Sequence, residues 1–339
     1  MTTLHLNLGE RCYDITVGRG ILDRAGELFE LERRVMVVTD SGVPREYADK
    51  ICALCREARI TVVEMGEGSK SLGTLEVLLG AMSDFGMTRR DCVVAVGGGV
   101  VGDLAGFAAA VYMRGIDFYN VPTTLLSQVD SSIGGKTAVN LGGIKNIVGA
   151  FHQPRGVLID VDCLATLDER QVRSGLAEAV KMAMTSDAEL FERFEKYTFV
   201  DIMANIEDII VASLKIKKAV VEEDECESGL RKILNFGHTF GHCVEAEETL
   251  GGLLHGECVA IGMIPMCERG VRDRLVGVLK KIGLPTEYHG DTERALSFVT
   301  HDKKCAEGGV SAILVPEAGR YLIKKMTTDE FSQMVREVF

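Results

Sequence analysis

The sequence contains no tryptophan, and no apolar run reaches the roughly 18 residues a membrane-spanning helix requires. Charges and glycines interrupt every hydrophobic stretch, which excludes a transmembrane reading. The start, MTTLHLNLGERCYDITVG, lacks a basic stretch followed by an apolar block, so export is not expected and a cytoplasmic location is. Positive charge is also in short supply. A formal net charge of −12 excludes a broad nucleic-acid surface and leaves any anionic substrate dependent on a local cluster of cations. Internal repeats and low-complexity linkers are missing. Ten cysteines at irregular spacing read as small core residues in a reducing compartment rather than as a disulfide framework.

What is present describes a globular chain. Hydrophobic residues make up 46% and charged residues 26%, which excludes disorder, and 339 residues exceed what one core usually serves, so two domains are expected. Two alternating runs, Leu4 to Leu8 and Cys12 to Val17, flank GER and predict a hairpin or meander. From Val35 onward, apolar strands (VMVVTD, ITVVEM, DCVVAV) alternate with helical patterns from Pro44, over Leu72 to Phe85 and from Val100. That alternation predicts βαβ units around a buried parallel sheet, hence an α/β fold. After Asp160 the apolar spacing becomes helical, in LDERQVRSGLAEAVKMAMT, in DIMANIEDIIVASLKIKKAVVEEDE and from Gly256 to Gly270. VSAILVPEAGRYLIKKM suggests one late hairpin. The expected division is therefore an α/β domain over 1–160 and a mainly α-helical domain over 161–339.

DCVVAVGGGVVGDLAGFAAAVY places a strand, three glycines and a helix in succession, and Gly97, Gly99 and Gly102 satisfy GxGxxG. Such glycines let a pyrophosphate approach bare backbone at a helix N-terminus. A tight turn with close helix packing explains them equally well. Asp40, ending VVTD, is placed either to bind a ribose hydroxyl or to cap the following helix.

DSSIGGKTAVNLGGIKN, from Asp130 to Asn146, is polar and rich in glycine, shows neither helical nor strand periodicity, and carries Lys136 and Lys145. An anion-binding loop is the expectation, because glycines admit a ligand to the backbone while the lysines supply charge. Downstream, LNFGHTFGH puts His238 and His242 at helical i, i+4 spacing, so both could face one ion or simply be buried and hydrogen-bonded. His255, followed by Gly256 and Glu257, and Glu178 on an earlier helix favour a metal with nitrogen and oxygen ligands.

Taken together, GGGVVGDLAGFAAA, VPTTLLSQVDSSIGGKTAVN, IKN, SGLAEAVK, LRKILNFGHTFGH, LLHGE and HDKK resemble 3-dehydroquinate synthase over about Gly66 to Leu314. The resemblance implies an N-terminal Rossmann-like NAD-binding domain, a helical metal-binding domain, a homodimer and one divalent metal, zinc or cobalt. It implies that Glu178, His238 and His255 hold the metal while His242 faces substrate. For NAD it implies Asp40, Glu67, Lys70, Gly98, Gly99, Val100, Val101, Gly102, Asp103, Thr123, Thr124, Lys136, Lys145 and Thr166. The implied substrate, 3-deoxy-D-arabino-heptulosonate 7-phosphate of the shikimate pathway, carries a phosphate and a carboxylate. Lys136, Lys145, Asn146, Asn235 and His242 would surround the phosphate and reacting ring, Arg231 and Lys217 the carboxylate, with Asp130 and Lys181 in the same pocket. Arg114 would reach across the dimer, and Lys303 or Lys304 would reach the phosphate. MGEGSK departs from the family pattern, with Met65 and Ser69 where an acid and an aromatic are common. The competing readings are a sugar-phosphate cyclase for a substrate without a carboxylate, a metal-dependent alcohol or glycerol dehydrogenase, and a non-catalytic NAD-binding protein.

Overall fold

Strands buried on both faces must be apolar at successive positions, and VMVV and CVVAV meet that requirement. In a computed structural model, which describes residues 1–247, 252–301 and 309–339, the chain divides into Met1–Asp168 and Glu169–Phe339. The first unit contains β1 (Thr2–Leu6), β2 (Tyr13–Gly18), α1 (Ala25–Leu28), β3 (Arg34–Asp40), α2 (Arg45–Ala53), β4 (Glu57–Val63), α3 (Leu72–Asp84), β5 (Cys92–Gly97), α4 (Gly99–Val111), β6 (Asp117–Pro122), β7 (Lys136–Leu141), β8 (Ile144–Phe151) and β9 (Gly156–Asp160). Seven strands form one sheet in the order β1-β2-β9-β6-β5-β3-β4. β1 and β2 pair antiparallel, as their alternation predicts, and the remaining neighbours pair parallel.

The period of two sorts the core. Met36, Val38, Val93 and Ala95 pack with α3 and α4 side chains such as Leu78, Met82, Leu104 and Phe107. Val35, Val37, Val94 and Val96 pack on the opposite face with Ile51, Tyr119, Val121 and Leu158. Each strand thus feeds two cores through adjacent residues.

One expectation changes here. The run from Asp130 to Asn146 is largely regular: after a π-type turn over Ser127–Ser131, β7 and β8 pair antiparallel from Lys136 with Phe151 to Leu141 with Ile144. Gly142 and Gly143, at φ 61° and 80°, form the two-residue connection whose positive φ matches the twist of a hairpin. The two units part a short way past β9. After β9 ends at Asp160, a 3-10 segment over Val161–Thr166 remains with the sheet, burying Cys163 in its core and bonding Thr166 to the Tyr47 hydroxyl at 2.9 Å.

The second unit is helical: α5 (Glu169–Ser186), α6 (Ala188–Lys196), α7 (Phe199–Ala204), α8 (Ile206–Glu223), α9 (His238–Glu247), α10 (His255–Met263), α11 (Arg269–Ile282), α12 (Thr292–Ser297) and α13 (Thr328–Arg336), with an antiparallel pair β10 (Val310–Glu317) and β11 (Arg320–Met326). No described helix is long and apolar enough to cross a membrane. Cys52, near the end of α2, and Cys55, three residues on and past the helix, have thiols pushed up to about 11 and about 12, above all by burial. Both therefore stay protonated near neutral pH, as structural thiols do.

Candidate active site

In the first unit the order of strands reverses between β3 and β5, since β4 lies outside β3 and β6 lies outside β5. Ligands of open parallel sheets bind beyond the carboxyl ends of strands at such a point. Asp40 ends β3 there, Gly97 ends β5 and Gly99 opens α4. No side chain caps α4, so the N–H groups of Gly99, Val100 and Val101 face an end suited to an anion, while the Gly102 N–H donates to the Gly98 carbonyl at 3.0 Å. The glycines also serve packing. A β-carbon on Gly97 would lie 2.6 Å from Val101, and one on Gly98 would lie 2.9 Å from Thr124.

Asp40 does not cap a helix; its Oδ1 accepts from the N–H groups of Gly42 at 2.8 Å and Val43 at 3.2 Å in the turn before α2. Met65 lies over Gly42, where a β-carbon would collide with its sulfur. Ser69 is buried and donates to the Glu64 carbonyl. Buried Lys70 pairs with Asp103 at 2.6 Å and stands 3.8 Å from Glu67. Asn140 ties this group to the hairpin: its amide donates to Glu67 at 2.8 Å, its carbonyl accepts from the Asn146 N–H at 2.9 Å, and its own N–H donates to Lys70 at 2.8 Å. Sequence reasoning passed over Asn140, because a strand asparagine carries no motif of its own. Lys136, Lys145 and Asn146 are exposed on β7 and β8, Asn146 at φ 54°. Thr123 is buried and its N–H donates to Gly97. Thr124 caps the turn that contains Asp130, accepting from Ser127 at 3.3 Å. Arg114 is exposed and, with Met113, has positive φ.

In the second unit, glycines bring the histidines together. A β-carbon on Gly262 of α10 would collide with the Gly237 carbonyl and lie 2.7 Å from the Gly241 nitrogen. One on Gly256 would collide with the Ser174 carbonyl of α5. Thus α9 meets α10, and α10 meets α5, backbone to backbone, and His238, His255 and Glu178 face one point. Gly262→Ala is expected to destabilise by on the order of 2–4 kcal/mol, lowering Tm by several degrees, because neither neighbour is a side chain that can rotate away. Differential scanning calorimetry measures this; an unchanged Tm would mean the helices separate freely.

His238 Nε2 and His255 Nε2 each lie 3.5 Å from Glu178 Oε1. The carboxylate is 1% exposed and pairs also with Lys181, equally buried on the next turn of α5. His238 Nδ1 lies 3.1 Å from the Phe236 carbonyl, which can only accept, so Nδ1 carries the proton and Nε2 presents a lone pair. Burial, reinforced by Lys181 and the neighbouring histidines, holds His238 far below its usual pKa and neutral, against the pull of Glu178. Burial also pulls His255 down, but the Glu178 and Glu245 carboxylates outweigh it and raise it to about 9. Zinc ligands about 2.1 Å from the ion at tetrahedral angles stand about 3.4 Å apart. The observed 3.5 Å separations and the nitrogen and oxygen donors therefore fit such an ion.

His242 is not remote from this group. Donor atoms of His238, His242 and His255 all lie within 4.8 Å of one another. Distance alone therefore admits His242 as a ligand, and its exposure on α9 admits it as a proton carrier. Glu245, one turn further along α9, accepts from His255 Nδ1 at 3.4 Å; an acid three residues after His242 was its only sequence signal. Glu245→Gln is expected to weaken zinc binding about 10–100-fold by loosening the ring that presents Nε2. Competition with a chromogenic chelator measures it, and unchanged affinity would deny Glu245 that part.

Arg231 is 1% exposed in a 3-10 segment over Leu230–Asn235, and Lys217 is buried on α8. Asn235 donates to Glu227. Lys303 and Lys304 lie outside the described residues.

The family model for the 3-dehydroquinate synthase N-terminal region matches residues 60–174, and the model for its C-terminal region matches residues 175–305. A 3-dehydroquinate synthase of Enterococcus faecalis is 44% identical over 346 aligned residues, covering 96% of each chain. Among solved structures, 2-deoxy-scyllo-inosose synthase complexed with carbaglucose-6-phosphate, NAD+ and Co2+ has a TM-score of 0.89 at 28% identity, covering 100% of both chains. The 2-epi-5-epi-valiolone synthase of Streptomyces hygroscopicus with NAD+ and Zn2+ bound has a TM-score of 0.88 at 28% identity, covering 98% of both. On matches that span both units and most of the length, the chain belongs to the 3-dehydroquinate synthase family.

Proposed function

We propose that this enzyme is a phosphorus-oxygen lyase that converts 3-deoxy-D-arabino-heptulosonate 7-phosphate into 3-dehydroquinate and phosphate with NAD and one divalent metal, zinc or cobalt. The observation that carries the reading is the meeting of Glu178, His238 and His255 at one buried point in a chain of this family. A metal bound there supplies a Lewis acid that lowers the pKa of a substrate hydroxyl. NAD supplies a hydride acceptor that becomes the donor later in the same turnover.

The chain's own residues do the rest. Glu178, His238 and His255 hold the ion, and their order is maintained by the Phe236 carbonyl and Glu245. The α4 N-terminus with Gly98, Gly99 and Gly102 receives the pyrophosphate of NAD, and Asp40, Glu67, Lys70, Asp103, Thr123, Thr124 and Thr166 complete that set. Lys136, Lys145, Asn146 and Asn235 hold phosphate and ring, and Asp130 and Lys181 serve the same substrate. His242 moves a proton as the phosphate departs. Arg231 and Lys217 hold the carboxylate, which needs buried cations in a protein of net charge −12. We place Arg114 against a second copy in a homodimer in the cytoplasm, an arrangement supported by its exposed, left-handed backbone next to exposed Met113. Lys303 and Lys304 remain proposed phosphate contacts by family position.

The test is phosphate release by purified protein with catalytic NAD and zinc or cobalt, comparing the heptulosonate phosphate with glucose 6-phosphate and identifying the carbocycle. Formation of 3-dehydroquinate is expected. Turnover of glucose 6-phosphate alone would instead assign a carboxylate-free cyclisation, a second reading favoured by the likeness to 2-deoxy-scyllo-inosose synthase and opposed by buried Arg231.

A further inference from the structure

Between α8 and the segment that carries Arg231, the chain folds back around one carboxylate. Asp224 is buried, and its Oδ1 accepts from the Ser228 N–H at 2.9 Å and the Ser228 hydroxyl at 3.1 Å. Its Oδ2 accepts from the N–H groups of Gly229 at 2.7 Å and Arg231 at 2.9 Å. The side chain of Arg231 then returns to the same turn and donates to the Glu225 carbonyl. Glu227, whose carboxylate receives the Asn235 amide, sits within this turn at φ 60°. A glutamate in the left-handed region costs of order 1 kcal/mol or more, and persists only where surrounding bonds determine it. Here four donors on one carboxylate do so.

We propose that Asp224 is the positioning residue for Arg231 and Asn235, holding the Asp224–Arg231 turn so that the buried guanidinium is oriented before substrate arrives. The inference rests on the reading of Arg231 as the carboxylate-binding group. A guanidinium that must be ordered on binding forfeits part of its affinity to side-chain and backbone entropy, whereas one fixed in advance does not. The oxygens suit this task because carboxylates that accept several N–H bonds stay anionic. Burial raises the Asp224 pKa, but the bonds from Arg231, Gly229 and Ser228 outweigh it and bring it down to about 2. Its contribution to the turn is therefore complete above the ordinary carboxylate range and is lost only as pH falls through about 2.

Asp224→Asn keeps the shape and replaces one accepting oxygen with an NH2 group that faces N–H donors. For the metal-loaded enzyme with NAD, we expect KM for the heptulosonate phosphate to rise about tenfold while kcat changes less than about threefold, since positioning is needed to bind the carboxylate. In an Arg231→Ala background the same change should add nothing to KM, because a residue that acts through Arg231 has no effect without it. Amide exchange at Ser228, Gly229 and Arg231 should accelerate, with the helices on either side unaffected. Ser228→Ala, which removes one donor, should shift KM the same way by less, and serves if Asp224→Asn does not fold. Losses that add in the double variant, or unchanged exchange at those amides, would overturn the proposal. If Arg231→Ala alone left KM unchanged, the carboxylate reading would fail; acceleration confined to the turn would then still support positioning of the turn, and its absence would dismiss it.

Discussion

Replacing His238 with alanine is expected to leave the protein folded but without bound metal, and so without turnover, whereas His242→Ala should retain the metal and lose most of its activity. The two histidines share one face of α9, with ring centres 5.3 Å apart, yet their surroundings differ. His238 is buried, its Nδ1 is engaged by the Phe236 carbonyl, and its Nε2 faces Glu178. His242 is exposed, as a group that exchanges protons must be. Loss of one of three ligands typically lowers affinity for a divalent ion by several orders of magnitude, while loss of a general acid or base costs about 10²–10⁴-fold in rate. Elemental analysis after dialysis, together with kcat, separates the two. Both variants emptied of metal would make the i, i+4 pair a joint clamp.

Arg231→Ala should raise KM for the heptulosonate phosphate about a hundredfold, the scale expected when a buried charge-assisted pair is lost. Competitive inhibition by glucose 6-phosphate, which has a phosphate and no carboxylate, should move little. Equal losses for both ligands would shift Arg231 to the phosphate or to folding alone. Circular dichroism and Tm guard against the last outcome, since Arg231 is among the largest fully buried side chains described.

How legible this was depended on how local each signal is. The strands of the parallel sheet were plain because burial on both faces leaves an unbroken apolar string, as in Val35 to Val38 and Cys92 to Val96. The β7–β8 hairpin was missed although Gly142–Gly143 is a direct sign of a two-residue turn. Polar and glycine-rich flanks hid it, because β8 is largely exposed and β7 buries three consecutive residues, Thr137 to Val139, which leaves no alternation to read. On α9 the histidine spacing was readable from the helical period. Glu178 and His255, which belong to other helices, share no period with it; their residue types pointed to a metal, and only family resemblance joined them with His238 as one ligand set. Glu245 and Asn140 are placed to act through His255, Glu67 and Asn146. Such roles follow from three-dimensional neighbours, and no spacing rule encodes them.

The contact of α9 with α10 through Gly237, Gly241 and Gly262 has a consequence for the protein before any ion arrives. Two helices that touch through their main chains have no rotamers between them, so the spacing of the two backbones at His238 and His255 is set by main-chain contact and not by side chains that repack. The ordering entropy of that pair is met once, during folding, and the pair behaves as a caliper already opened to its setting. Metal capture would then involve little rearrangement of these two helices, and ions would be sorted by how well their preferred bond lengths match a gap the protein does not readily widen or narrow.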